Sequence, residues 1–143
     1  MSGSHEFEIR IAYADTDRMG VVYYANYLVL FERGRTELMR SLGLRYKDLE
    51  DKRQIFLPAM EASCRYVAPA HYDDLITVRT SVCEMGAAHL SFSYMVVHSE
   101  TKKPLAYGFS KHPFVDRSWK PVRVPPDLRS LIEPCVQPQP PQR

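Results

Sequence analysis

Two aspartates, Asp15 and Asp17, stand two residues apart just before a segment whose pattern predicts a helix. The start of a helix offers unpaired backbone N–H groups and the positive end of the helix dipole. A carbonyl group placed there has its oxygen polarised, and a carboxylate such as Asp17 can attack the carbonyl carbon or deprotonate a water molecule. Aspartate and threonine are also common turn formers and caps, and local chemistry alone favours that structural role.

A long helix follows these aspartates. Its apolar residues fall on one face at the spacing of a 3.6-residue turn, namely Tyr27, Leu30, Phe31, Gly34, Leu38 and Leu42. Gly43 is well placed to end the helix in a left-handed conformation. Glycine inside a helix is unfavourable, so Gly34 predicts a close approach by a neighbouring element. Leu28 and Val29 are apolar too, which predicts burial on a second side of the helix.

Five segments alternate apolar and polar residues with the period of a half-buried strand. They are 6–11, 62–66, 76–85, 89–98 and 105–115. A short helical or loop stretch is expected at 46–51 and one helical turn at 127–132. The order strand, long helix, four strands with short connections predicts an α+β domain with a five-stranded antiparallel sheet. We expect one domain over 1–133, followed by a proline-rich, disordered tail over 134–143.

The composition of the 143 residues argues against several classes of protein. A net charge of +2 without a basic run makes nucleic acid an unexpected partner, and no apolar run is long enough to span a membrane. The N-terminus lacks the pattern of a secretory signal. Three widely spaced cysteines predict a reducing compartment, so the cytoplasm is expected. The five histidines and these cysteines lack the spacing of metal ligands, and no metal is expected.

The stretch from Asp15 to Tyr27, DTDRMGVVYYANY, resembles the signature of the 4-hydroxybenzoyl-CoA thioesterase family. That signature has two aspartates separated by one residue, then two variable residues, glycine, two apolar residues, an aromatic residue, Tyr or His, a small residue, Asn and Tyr. The resemblance continues in the segment 57–78, where a Pro-Ala pair is followed by Asp73 and Asp74. It covers roughly residues 5–118. With this resemblance, the catalytic interpretation of Asp17 is favoured over the structural one.

The resemblance implies a hot-dog fold, in which the sheet wraps around one long central helix. Asp17 would be the catalytic nucleophile or general base, and Tyr24 would supply the backbone N–H that binds the thioester oxygen. Asp15 would hold the turn, and Asn26 would cap the helix start. The residues expected around the substrate are Gly20, Val21, Val22, Tyr23, Asn26, Pro58, Met60, His89 and Ser91.

The implied activity is hydrolysis of a short-chain or aromatic acyl-CoA without a cofactor. Homodimers or homotetramers with sites at the subunit interface are expected. Gly86, Ala87 and Ala88 replace the basic cluster that binds CoA phosphates in the aromatic acyl-CoA branch, so other cations such as Arg65, Lys102, Lys103 or Arg117 are candidates. Two alternatives are a hot-dog hydratase or dehydratase, and a non-catalytic module that binds acyl-CoA or scaffolds a complex.

Overall fold

Five antiparallel strands form one sheet in a computed structural model that describes residues 3–138. The strands are β1 Ser4–Arg10, β2 Glu61–Tyr66, β3 Leu75–Met85, β4 His89–His98 and β5 Pro104–Pro113. Their order across the sheet is β1-β3-β4-β5-β2, so β1 and β2 are the two edges. The helices are α1 Asn26–Ser41, α2 Tyr46–Arg53 and α3 Pro126–Ile132. The predicted α+β architecture with a five-stranded antiparallel sheet is confirmed.

Helix α1 lies against the sheet along its predicted apolar face. Tyr27, Phe31 and Leu38 are buried, and the Phe31 ring stacks on Tyr94 of β4 with centroids 4.3 Å apart. A side chain at Gly34 would collide with Thr80 of β3, so the predicted close approach is confirmed and its partner is a strand. The central helix and the surrounding sheet together form the hot-dog arrangement that the resemblance implies.

The end of α1 follows the predicted glycine stop. Gly43 has φ +86°. Its N–H bonds to the carbonyl of Arg40 at 2.9 Å, and the N–H of Leu44 bonds to that of Met39 at 2.9 Å. This pair of bonds defines a Schellman motif, which satisfies the last carbonyl groups of the helix.

Two expectations about α1 and the tail are wrong within the described chain. Leu28 and Val29 are 44% and 55% exposed, so no second layer of this chain covers them. The segment 134–138 is ordered, since Cys135 is buried and the N–H of Gln137 bonds to Val82 O of β3 at 2.8 Å. The remaining tail residues, 139–143, lie outside the described residues.

A polar chain runs through the interior between α1, β4 and β5. The Tyr94 hydroxyl and the Ser110 hydroxyl lie 2.5 Å apart, and His112 Nε2 lies 2.8 Å from Ser110 Oγ. Burial and the charge of Arg35 lower the pKa of His112 to about 4, although backbone groups nearby oppose this shift. His112 is therefore a neutral core residue at neutral pH.

Candidate active site

Asp17 lies half-buried in a tight turn just before α1. Its backbone carbonyl accepts the N–H of Gly20 at 2.9 Å, and its Oδ1 accepts the N–H of Met19 at 2.8 Å. Gly20 has φ +82°, a conformation that side chains rarely adopt, which explains the glycine. Within residues 3–138, the second oxygen, Oδ2, accepts no hydrogen bond. One oxygen thus fixes the turn, and the other has no hydrogen-bond partner among the described residues.

The start of α1 presents a backbone donor next to this turn. The carbonyl of Tyr24 accepts a hydrogen bond from the Tyr66 hydroxyl at 2.8 Å, which ties the helix start to β2. Burial and the neighbouring Cys64 raise the pKa of Tyr66 to about 12, so the phenol keeps its proton and donates. No acceptor among the described residues 3–138 takes the N–H of Tyr24. This N–H is therefore held in position and is available to a bound carbonyl oxygen.

Asp15 and Asn26 hold the loop together. Asp15 Oδ2 accepts the N–H of Ala12 at 2.8 Å, and Asp15 O accepts both the N–H of Tyr23 at 3.0 Å and Asn26 Nδ2 at 2.9 Å. This agrees with the structural role expected for Asp15. The prediction that Asn26 caps the helix is wrong, because its side chain donates to a carbonyl in the preceding loop and Ala25 occupies the N-cap position. Asn26 fixes the loop relative to the helix.

A turn at 70–74 holds both ends of the Asp17 loop. The N–H of Ile11 bonds to Asp74 O at 2.9 Å before the loop, and the N–H of Val22 bonds to Ala70 O at 2.8 Å after it. Asp74 Oδ2 accepts the N–H of His71 at 2.8 Å and so closes the turn. The Asp-Asp pair noted in the sequence therefore has a mechanical role, because it anchors the segment that carries Asp17.

The apolar residues of the signature divide between the interior and the surface. Val22 is buried, and Val21 pairs with His71 in a β-bridge. Val22 and Asn26 line a cavity of about 70 Å³ between β1 and α1, which offers little room for an acyl group. Tyr23 is exposed, and its ring lies 4.9 Å from that of Tyr24. A hydrogen bond with Tyr24 raises the pKa of Tyr23, and the charge of Asp17 adds to the shift.

The other predicted substrate residues lie at the opposite end of the sheet. The Asp17 loop follows the end of β1 and is hydrogen-bonded to residues just before β3, whereas His89 is the first residue of β4 and lies beside the end of β3. The 11 residues of β3 separate these ends by about 30 Å at the usual rise per residue. Pro58 and Met60 precede β2 at the same distant end, where the N–H of Met60 bonds to Lys111 O at 2.8 Å. One chain does not bring these residues to Asp17.

His89 and Ser91 also point away from the helix. Tyr94 faces α1, so alternation along β4 places Ser91 on the outer face of the sheet. Both His89 Nε2 and Ser91 Oγ contact Glu84 Oε1, at 3.0 and 3.1 Å. These hydrogen bonds, His89 first, lower the pKa of Glu84. Within one chain, His89 and Ser91 therefore lie away from Asp17, although both were expected around the substrate.

Residues 3–138 contain neither a cluster of metal-ligand side chains nor a membrane-spanning helix. They hold no group of three or more His, Cys, Asp or Glu side chains arranged for a metal ion. In the same residues, no helix is both long enough and apolar enough to cross a membrane.

Comparison with known proteins places this loop and helix in a family. The sequence model of the thioesterase-like superfamily matches residues 11–132. The chain belongs to this superfamily. Acyl-CoA thioesterase YbgC of Haemophilus influenzae is 32% identical to this thioesterase over 133 residues, covering 92% of this chain and 96% of the relative. The predicted family and the assignment as a thioester hydrolase are confirmed.

Solved structures agree with the fold of the thioesterase. A hypothetical protein from Thermus thermophilus has a TM-score of 0.85 and 30% identity, covering 94% of this chain and 98% of its own. The 1,4-dihydroxy-2-naphthoyl-CoA (DHNA-CoA) thioesterase of Staphylococcus aureus has a TM-score of 0.86 and 27% identity, with 92% and 89% covered. The hot-dog fold is confirmed.

Sequence reasoning missed two residues that position the site of the thioesterase. Tyr66 anchors the helix start, and Asp74 anchors the loop. Tyr66 sits in a strand whose pattern signals only a pairing segment, since no local spacing links it to Tyr24, which is 42 residues away. The Asp-Asp pair was noted in the sequence, but its hydrogen bonds with Ile11 depend on the fold and could not be predicted from local spacing.

Proposed function

We propose that the protein hydrolyses short-chain or aromatic acyl-CoA thioesters, with Asp17 as nucleophile or general base. The observation that carries this proposal is the open Oδ2 of Asp17 on a fixed turn beside the unpaired N–H of Tyr24. The acyl-CoA thioesterases among its relatives support the choice of thioester. No cofactor has a part in the proposed reaction.

The proposed reaction uses the helix start to hold the thioester carbonyl. The Tyr24 N–H donates to the carbonyl oxygen, and the helix dipole stabilises the negative charge that develops there. As a general base, Asp17 removes a proton from water, the hydroxide adds to the carbonyl carbon, and the carbon–sulfur bond breaks. As a nucleophile, Asp17 forms a mixed anhydride with release of CoA thiolate, and water then hydrolyses the anhydride. Both routes end in the free acid and CoA.

The proposed site is completed by a second copy of the chain across the free edge of β2. Beside this edge lie exposed apolar side chains. They are Met60, Tyr66 and Val67 on the strand side, Tyr24 just before α1, and Leu28 on α1. Such a patch next to an unpaired strand favours edge-to-edge pairing. The other edge, β1, instead alternates with the charged residues Glu6, Glu8 and Arg10.

Two-fold pairing makes the contact between two β2 strands antiparallel. The Tyr66 end of one strand, which holds Tyr24, then lies beside the Met60 end of its partner. Pro58 and Met60 thereby approach the Asp17 site of the other chain, although they are remote from it in their own. Sedimentation is expected to give two or four chains per particle. A monomer that retains full activity would contradict the shared site.

The cytoplasm remains the proposed location. The support for this proposal is that Cys64, Cys83 and Cys135 are free thiols, which suits a reducing compartment.

Asp17→Asn tests the proposal. The amide keeps an oxygen for the N–H of Met19 but can act neither as a base nor as an effective nucleophile. We expect thiol release from a panel of short, long and aromatic acyl-CoAs to fall by about 10²–10⁴-fold. Asp15→Asn is the matched control, because it makes the same change two residues away at a structural carboxylate. Activity of Asp17→Asn within about tenfold of wild type would rule out the catalytic assignment.

The same panel separates the rival functions. Hydration of enoyl-CoA without thiol release indicates a hydratase. Saturable binding of acyl-CoA with no turnover of any thioester indicates a binding module.

A further inference from the structure

A cavity of about 380 Å³ opens at the end of the sheet remote from Asp17. It lies between the segment 54–58 and the hairpin 116–120. Phe56 and Pro58 form one side, Arg117 and Trp119 form the other, and Glu50 reaches it from α2. Pro58 is one of the residues that the proposed pairing brings close to the partner's thioester site, so this cavity continues that site outward.

Trp119 is presented to solvent by a rigid hairpin. The N–H of Trp119 bonds to Asp116 O at 2.9 Å, and Asp116 Oδ1 accepts the N–H groups of Ser118 and Lys120 at 2.8 and 3.0 Å. Trp119 has φ +65°, a conformation that is unusual for a bulky residue and easy for glycine. Its side chain is nevertheless 69% exposed. Neither the turn nor the core uses the indole, which leaves one face of a large aromatic ring free beside the cavity.

One cation, Arg117, lines the cavity with Trp119, together with the carboxylates of Glu50 and Asp116. The Arg117 guanidinium lies 5.6 Å from the centroid of Phe56, and its Nε donates to Gln54 Oε1 at 2.7 Å. These contacts fix its orientation, while within residues 3–138 its terminal nitrogens make no ion pair. Lys120 and Arg123 are exposed on the same hairpin and the strand-like segment after it, and they too have no ion pair in the described chain.

A free aromatic face beside an oriented guanidinium suits a nucleotide. Bases stack on exposed indole rings, and guanidinium and ammonium groups bind phosphate oxygens. Glu50 offers acceptors for the amino group of a base or for ribose hydroxyls. We propose that Trp119 and Arg117 form a nucleotide clamp that binds the adenosine 3′-phosphate 5′-diphosphate part of CoA, with its adenine stacked on Trp119 and its phosphates on Arg117, Lys120 and Arg123. This inference rests on the proposed function, and it assigns the phosphate contacts that Gly86–Ala88 cannot supply.

Intrinsic fluorescence tests the clamp without catalysis. Trp119 is the single tryptophan of the chain, so its emission reports directly on stacking. Titration of the wild-type protein with CoA and with adenosine 3′,5′-bisphosphate is expected to change this emission saturably, with weaker binding at higher salt. Pantetheine, which lacks the nucleotide, is expected to leave it unchanged. No saturable change with CoA overturns the proposal.

Kinetics of full-length variants provide the second test. Trp119→Gly removes the ring at a backbone conformation that glycine adopts readily, so folding is preserved. Arg117→Gln removes the fixed cation, and Arg40→Gln is the matched control on the exposed side of α1. Loss of the stack is expected to raise KM for acyl-CoA about tenfold or more with little change in kcat. Hydrolysis of the corresponding acyl-pantetheine is expected to stay within about twofold of wild type, since that substrate lacks the nucleotide.

The outcomes distinguish failure of the clamp from failure of the proposed function. If both substrates are impaired equally in Trp119→Gly, the cavity holds the acyl group and the clamp is wrong. If wild type hydrolyses neither substrate, the proposed function fails, and the fluorescence titration still decides whether the nucleotide binds at Trp119.

Discussion

His112 makes the stability of the fold depend on pH in the acid range. Its side chain is 1% exposed and has a pKa of about 4, against 6.5 for an exposed histidine. In the unfolded chain it binds a proton below pH 6.5, whereas the folded chain resists protonation until about pH 4. Because the unfolded state binds more protons in this window, the His112 contribution is fully present above pH 6.5 and is lost as the pH falls toward 4.

The size of this effect follows from the shift. The difference of 2.5 pKa units between 6.5 and 4 corresponds to a largest possible change of about 3 kcal/mol in the free energy of unfolding. Between pH 7 and pH 5 the expected loss in the free energy of unfolding is about 2 kcal/mol. Urea unfolding at several pH values over this range measures it.

His112→Gln isolates the contribution. Glutamine keeps a partner for Ser110 Oγ but does not titrate, so the variant is expected to be less stable at pH 7 and to lose about 2 kcal/mol less than wild type on acidification to pH 5. His98→Gln is the control, because it removes another histidine of the sheet and leaves the His112 slope in place. Parallel pH dependence in wild type and His112→Gln would refute the reasoning.

Two further predictions concern the packing of α1 on β3 and the turn at 70–74 that holds the Asp17 loop. Gly34→Ala is expected to lower the free energy of unfolding by about 1–2 kcal/mol, because overpacking against Thr80 exceeds the gain in helix propensity. Urea unfolding of this variant and of the double variant Gly34→Ala/Thr80→Ala measures the effect. The double variant must recover part of the lost stability. Asp74→Ala removes the acceptor for the N–H of His71 and is expected to reduce kcat roughly tenfold to a hundredfold through displacement of the Asp17 loop. Asp74→Asn, which keeps an acceptor, must restore most of this activity, and equal loss in both variants would exclude an anchoring role.

The regular elements could be predicted because their burial repeats with their geometry. Ile76, Val78 and Val82 all face the core from β3, and the sequence shows them at a period of two. The stop of α1 was predictable because Gly43 satisfies a local requirement of the backbone. The ordered tail segment could not be predicted in this way. The proline-rich composition gives no hint that Cys135 is buried or that Gln137 continues the pairing along β3.

The site was predictable only in its local part. Asp17, Gly20 and the start of α1 lie within ten residues of one another, so one signature describes them together. His89 and Ser91 were misplaced because their position depends on the strand order and on the face of β4, and neither is encoded in local spacing.

Some apolar side chains, such as Leu28, are exposed in one chain although their type favours burial. Leu28 is apolar and lies one helical turn after Tyr24, yet 44% of it is exposed among the described residues 3–138. A second chain paired along the exposed edge of β2 would bury the apolar side chains beside that edge, including Leu28. The expectation that Leu28 is buried is therefore not met within one chain, and the proposed pairing of two chains would cover it. On the proposed pairing, Pro58 and Met60 would join the Asp17 site of the partner, and the cavity beside Trp119 would lie next to that shared site.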